Sequence, residues 1–257
     1  MPQNLHVHLL PTLFQPEEVK DQTVVICDIL RASTTITTSL ANGCEGVSPC
    51  GSIEQALELR KQFPVGQCLL GGERGGVQID GFDLSNSPAD YAVSIVRGKR
   101  IGFTTTNGTK ALLHSGQAAN IVIGAFVNLT AVVQYLQSVK NDIHIVCAGT
   151  NGRISSEDVL FAGAVVHQLC QTGAVVHQQQ LSDDVAANDS ATIAMGFWRD
   201  SCPALHSQSI EQGLKRSTGG QNLLRLGYDS DITLAAAVDS VPVVGMLQSD
   251  QVIRLIR

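Results

Sequence analysis

Charge is scarce in this sequence. Asp, Glu, Lys and Arg together make up 16% of the chain, against about a quarter in ordinary globular proteins. Aromatic residues are 4%, with a single Trp, so the core has to be built from Val, Ile, Leu and Ala. That composition suits buried parallel strands. The 17 basic residues and a net charge of −6 exclude an extended nucleic-acid-binding face, because neutralising many phosphates takes clustered Lys and Arg. No apolar run approaches the roughly 20 residues of a membrane span, and residues 162–166 and 234–238 are among the longest. The start of the chain has no basic stretch followed by an apolar one, so no signal peptide is expected. The 7 cysteines are scattered, with no C-x-x-C pair. That excludes a zinc site of this type and fits reduced thiols in a cytoplasmic protein.

Hydrophobic residues reach 44% over 257 residues, enough for one large folded unit. Short β-branched runs alternate with helical patterns. Strands are expected at 23–27, 47–49, 67–70, 100–104, 120–125, 142–147, 175–178, 241–246 and 252–256. Helices are expected at 34–42, 53–62 (with Ser52 as N-cap), 88–96, 109–115, 128–140 (with Asn128 as N-cap) and 156–171. This alternation predicts a three-layer α/β/α fold around a mostly parallel, mixed sheet. Residues 1–257 read as a single domain, with a more helical part from about 183 that could cover the site.

In open α/β sheets ligands bind beyond the carboxyl ends of strands, and four such junctions stand out. In the first, Asp28 ends a strand and Arg31 follows, with Ser33 and Thr34 opening a helix. A carboxylate there can hold Mg²⁺ or attack phosphorus, and an arginine fork can bind an anion. The second, Gly71-Gly72-Glu73-Arg74-Gly75-Gly76, places an acid and a base between two glycine pairs, which allows close backbone approach to a ligand. The third runs through Thr105, Thr106, Asn107, Gly108 and Thr109 into a helix, an anion cradle by its hydroxyls and helix dipole. The fourth, 147–158, holds Glu157 and Asp158. Ser155 with Asp158 fits a capping box, and either acid could instead bind metal. Thr106-Asn107-Gly108 and Thr150-Asn151-Gly152 echo one another. The acidic pairs Asp183-Asp184 and Asp229-Ser230-Asp231 read as solvated caps, and Ser87-Pro88 reads as a capped helix start.

Some matches are discounted. Cys68 and Arg74 have cysteine-phosphatase spacing, but Glu73 between them would repel the anion. Asp189-Ser190-Ala191 lacks a His-rich metal framework. Asp28 lacks a second Asp two residues on, where Leu30 stands.

The chain resembles the 2-phosphosulfolactate phosphatases, the ComB family of coenzyme M biosynthesis. The resemblance is carried by Asp28-Ile-Leu-Arg-Ala-Ser-Thr-Thr-Ile36, Leu70-Gly-Gly-Glu-Arg-Gly-Gly76 and Gly81-Phe-Asp-Leu-Ser-Asn-Ser-Pro88. It continues through Thr104-Thr-Thr-Asn-Gly-Thr109, Cys147-Ala-Gly149, Ser156-Glu-Asp158 and Asp231-Ile232. It implies an Mg²⁺-dependent phosphatase acting on a small sulfonated or carboxylated phospho-acid. Joined to the residues, it gives Asp28, Arg31, Glu73 and Arg74 as catalytic candidates. Thr105, Thr106, Asn107, Gly108, Thr109, Gly72 and Gly75 become candidates for the phosphate, and Asp28, Glu73 and Asp158 for metal; Lys110 is a weaker cation. A phosphatase for another small phospho-acid and a non-catalytic anion-binding module are the competing readings. The composition permits a homodimer.

Overall fold

Buried β-branched runs set the sheet of this protein. The structure, a computed structural model, describes residues 4–171, 188–202 and 205–256. Strand β1 (Leu5–His8) precedes β2 (Thr23–Cys27), α1 (Ala32–Ala41), β3 (Gly46–Pro49) and α2 (Ile53–Lys61). Next come β4 (Cys68–Arg74), β5 (Val77–Gln78), α3 (Val93–Val96), β6 (Arg100–Thr104) and α4 (Gly108–His114). Then follow β7 (Asn120–Ile123), α5 (Leu129–Ser138), β8 (Ile143–Cys147) and α6 (Ser156–Gln171). After the undescribed residues come α7 (Asp189–Ser201), α8 (Ser207–Arg216), α9 (Thr218–Arg225), α10 (Asp229–Ala235), β9 (Gly245–Leu247) and β10 (Ile253–Leu255).

Among the described residues ten strands form one mixed sheet in the order β1-β8-β2-β7-β9-β10-β3-β6-β4-β5. The strands β1, β8, β2 and β7 are mutually parallel, as are β3, β6 and β4. The β9–β10 hairpin lies between these groups and pairs antiparallel on both sides. Every residue of β2, β6 and β8 is buried, as expected of strands covered on both faces. Alternation along β2 shows the three layers. Val25 and Cys27 pack toward Phe126, Phe161 and Trp198 on one face. Val24 and Ile26 pack toward Ile36, Leu40, Ala111 and Leu112 on the other. Each such Val, Leu or Ile contributes about 1.5–3 kcal/mol by burial.

The expected α/β/α arrangement is present, with local departures. β1 was not expected, since Leu5-His-Val-His8 is half histidine. β4 runs on through Glu73 and Arg74, so the turn is confined to Gly75-Gly76. The helix expected at 88–96 is split into a 3₁₀ turn, Pro88–Asp90, and the short α3. The strand expected at 241–246 starts only at Gly245 and runs to Leu247 as β9, and the one expected at 252–256 is shortened to β10. Ser52 caps α2 as expected, accepting from the Gln55 N–H at 3.2 Å. Asn128 does not cap α5; its amide bonds Ala125, Ile123 and Val243 instead. The strand expected at 175–178 and the pair Asp183-Asp184 lie outside the described residues.

Candidate active site

Two parallel groups running in opposite senses would, in a flat sheet, put their carboxyl ends on opposite edges. Here their loops meet. A side chain at Gly108, after β6, would sit 2.8 Å from Asp28 Oδ2, after β2. Five strand steps separate β2 from β6, and sheet twist accumulates to about 100° over that distance. That rotation turns both sets of carboxyl ends toward one corner. A cavity of about 350 Å³ opens there. Asp28, Leu30 and Arg31 line it from the β2 loop, and Glu73, Gly75 and Gly76 from the β4–β5 hairpin. Asn86, Thr106, Asn107, Thr150 and Asn151 add further loops, and α9 contributes Thr218, Gly219, Asn222, Leu223 and Arg225.

Asp28 is buried and held by the starts of two helices. Its backbone C=O accepts from Ser33 at 2.8 Å and its N–H donates to Ser33 Oγ at 2.9 Å. Its carboxylate accepts from the Ala32 N–H at 3.4 Å and from the backbone of Gly108. Burial pushes the carboxyl up to about 7, the Glu73 charge adds to the rise, and those N–H groups oppose it. Glu73 is pinned through both oxygens, Oε1 accepting from Thr106 N–H at 2.7 Å and Oε2 from Gly76 N–H at 2.8 Å.

The anion expected on the turn before α4 is thus partly the protein's own. Glu73 takes the Thr106 N–H, while Thr105 and Thr109 bond each other reciprocally at 3.2 and 3.4 Å. Thr105, Gly108 and Thr109 line a separate apolar cavity of about 20 Å³ on which Asp28 also borders. Thr106 and Asn107 remain on the main cavity. The two Thr-Asn-Gly turns touch there, Asn151 N–H donating to Asn107 Oδ1 at 3.0 Å.

Arg31 is 2% exposed. Its Nη1 meets Asp231 Oδ2 at 2.7 Å, its Nη2 donates to Gly76 O at 2.6 Å, and its guanidinium lies 4.4 Å over the Tyr228 ring. Asp231 therefore is no solvated cap. It is 1% exposed and also accepts from Ser87 Oγ at 2.7 Å. Ser87 in turn makes no side-chain cap bond to the 3₁₀ turn. No local sequence signal joins positions 31 and 231.

Arg74 does not line the main cavity. It follows Glu73 on β4, and successive strand residues face opposite ways. Its guanidinium donates to Glu73 O at 2.6 Å and to Thr104 Oγ1 at 3.0 Å. Gly72 does not line the cavity, and a Cβ there would come 1.9 Å from Thr104 O. Lys110 is exposed and outside the lining. Asp158 is no capping-box acid: Oδ1 accepts from Ile29 N–H and Oδ2 from Gly149 N–H, each at 2.9 Å. Ser155 bonds Thr150 instead. Burial first, then the Glu157 and Asp28 charges, pushes the Asp158 carboxyl well above the usual range. Glu157 is also buried, with its carboxyl raised by burial and Oε2 without a hydrogen-bond partner.

Mg²⁺ is bound through one or two carboxylates, waters and substrate oxygens. Asp28 and Glu73 fit that sparse mode, because they border one cavity and the charge of one opposes ionisation of the other. Asp158 does not fit, because it does not border that cavity. Among the described residues no three His, Cys, Asp or Glu groups gather into a metal site. Sequence reasoning missed Asn86, Thr218, Asn222 and Arg225. Asn86 stands within the segment from Gly81 to Pro88, and its buried Oδ1 has no partner among the described residues, a mark of a group awaiting ligand or water.

Residues 8–250 match the family model described as 2-phosphosulpholactate phosphatase. A relative in Clostridium botulinum is 40% identical over 237 residues, covering 92% of this chain and 93% of its own. One in Caldanaerobacter subterraneus subsp. tengcongensis is 36% identical over 232 residues, covering 90% of each chain. One in Carboxydothermus hydrogenoformans is 35% identical over 249 residues, covering 95% of this chain and 96% of its own. All three are described as probable 2-phosphosulfolactate phosphatases.

Proposed function

The chain belongs to the 2-phosphosulfolactate phosphatase family, and on that premise we propose that it hydrolyses 2-phosphosulfolactate to 3-sulfolactate and phosphate with Mg²⁺. The observation that carries the reading is one cavity bordered by the carboxylates Asp28 and Glu73 together with Arg31 and Arg225. A pure anion binder gains nothing from two acids facing its ligand.

Asp28 and Glu73 would hold the metal ion, which when bound neutralises phosphoryl charge and polarises a P–O bond. The chain's own groups do the rest. Thr106 and Gly76 N–H groups fix Glu73, and the Ala32 and Gly108 backbone fixes Asp28. The contact between Asn107 and Asn151 holds the two turns at one wall. Asn86 offers its free amide oxygen to the product hydroxyl or an ordered water. With the groups fixed beforehand, hydrolysis requires mainly positioning and charge neutralisation.

The test is phosphate release from racemic 2-phosphosulfolactate with and without Mg²⁺. We expect turnover that chelation abolishes, and loss of at least 10³-fold in Asp28→Asn with an unchanged thermal midpoint. Turnover retained in Asp28→Asn overturns the role given to that residue. Release from a different phospho-acid alone overturns the substrate. A beryllofluoride adduct on Asp28 marks a phospho-aspartyl intermediate; its absence at saturating Mg²⁺ marks attack by water.

A further inference from the structure

Among the described residues two arginines border the cavity, and their surroundings differ. Arg31 has its charge balanced by Asp231 and its fork already occupied. Arg225 is exposed at the rim and makes only a long contact of 3.5 Å to Asn222 Oδ1. Among the described residues no carboxylate lies within ion-pair distance of it. Thr218, Asn222 and Arg225 stand at i, i+4 and i+7, so they share one face of α9. That face borders the cavity.

The helix is held firmly enough for such a face to read a ligand. Ser217 Oγ accepts from the Gly220 N–H at 2.9 Å. A Cβ at Gly219 would lie 2.1 Å from Glu157 Oε1, and one at Gly220 would lie 2.0 Å from Leu214 O. These close approaches seat α9 against α6 and α8. On the far side, a Cβ at Gly76 would lie 3.1 Å from Asn222 Nδ2. The polar face of α9 therefore adjoins the hairpin that carries Glu73.

We propose that Arg225, with Asn222 beside it, is the specificity-determining residue that binds the non-reacting sulfonate of the substrate. This rests on the phosphatase reading above. The phosphoryl group must lie beside Asp28 and Glu73, where the chemistry occurs. The sulfonate takes no part in bond breaking and stays charged at every working pH. It presents three acceptor oxygens, which a permanently charged planar fork can meet in pairs. Arg225 is the cation bordering this cavity that no protein acid neutralises among the described residues.

The experiment compares kcat/KM for 2-phosphosulfolactate with that for 2-phospholactate, the same ester without the sulfonate. It is run on the full chain as wild type, Arg225→Ala and Arg225→Lys. We expect the preference for the sulfonated ester to fall at least tenfold in Arg225→Ala, chiefly through KM, and Arg225→Lys to restore part of it. Calorimetric titration with 3-sulfolactate, which needs no turnover, should show a matching loss of affinity. An unchanged preference with unchanged sulfolactate affinity overturns the proposal, as does an equal loss on both esters. Wild-type protein that cleaves neither ester refutes the phosphatase reading itself and this proposal with it.

Discussion

Replacing Asp231 by Ala should strip the buried Arg31 of its counter-charge. The pair is 2% and 1% exposed and 2.7 Å apart. Removing one partner of such a pair typically costs about 3–5 kcal/mol, because the other charge stays buried. Gly76 O and the Tyr228 ring remain near the guanidinium, which favours the lower half of that range. Ser87 Oγ also loses its acceptor, worth about 1 kcal/mol. The expected loss is therefore about 4 kcal/mol, a large share of a typical stability of about 5–15 kcal/mol. Urea denaturation measures it as a lower midpoint at unchanged slope. The double variant Arg31→Met/Asp231→Leu carries no stranded charge and should recover more than half of the loss. A cost below about 1 kcal/mol for Asp231→Ala would refute the reasoning. It would mean that the guanidinium is solvated and free to turn to a ligand.

Three further outcomes are expected. His8 Nε2 and His144 Nδ1 lie 2.9 Å apart, and burial pushes each ring from 6.5 to about 4. The folded state thus disfavours protonation that the unfolded chain accepts near 6.5. The stabilisation is complete above that pH and is lost as pH falls toward 4, by about 3 kcal/mol for the first proton. Urea midpoints at pH 7 and 4.5 should show this fall in wild type and a smaller one in His8→Gln; equal falls would contradict it. Gly72 has φ +139° and a Cβ there would sit 1.9 Å from Thr104 O, whereas Gly75 has φ +63° with nothing within 4 Å. Gly72→Ala should therefore cost more than about 3 kcal/mol and Gly75→Ala only about 1–2 kcal/mol, and equal midpoints would contradict the difference. Burial raises the Asp28 carboxyl to about 7 and the Glu73 charge adds to the rise, so carbon NMR titration of metal-free Glu73→Gln should find Asp28 lower than in wild type, and an unmoved titration would count against the coupling.

The charged loops were legible because the sequence has so few charges. Asp28 and Glu73 stand beside strand ends and glycines, and both border the cavity. Arg74 shows where such reading stops. Its position beside Glu73 suggested a shared role, but the extension of β4 through both residues sends their side chains to opposite faces. Whether that strand stops at Leu70 or runs on depends on pairing with β6 and β5, which a local pattern does not contain. Asp158 shows the same limit. Its spacing from Ser155 suits a cap, yet both oxygens are drawn to the backbone of Ile29 and Gly149 by packing against the β2 loop.

What the sequence determined by itself is the alternation of apolar strands and helices and the turns at their ends, since period, capping and glycine placement act over a few residues. The three-layer fold and the loops bearing Asp28, Glu73 and Asn107 follow from that. Only the tertiary structure decided the partners across long separations. The β9–β10 hairpin reverses one half of the sheet, twist brings two sets of carboxyl ends to one corner, and Asp231 reaches Arg31 across 200 positions. Such contacts arise from burial and charge pairing summed over the whole chain, so no short segment encodes them.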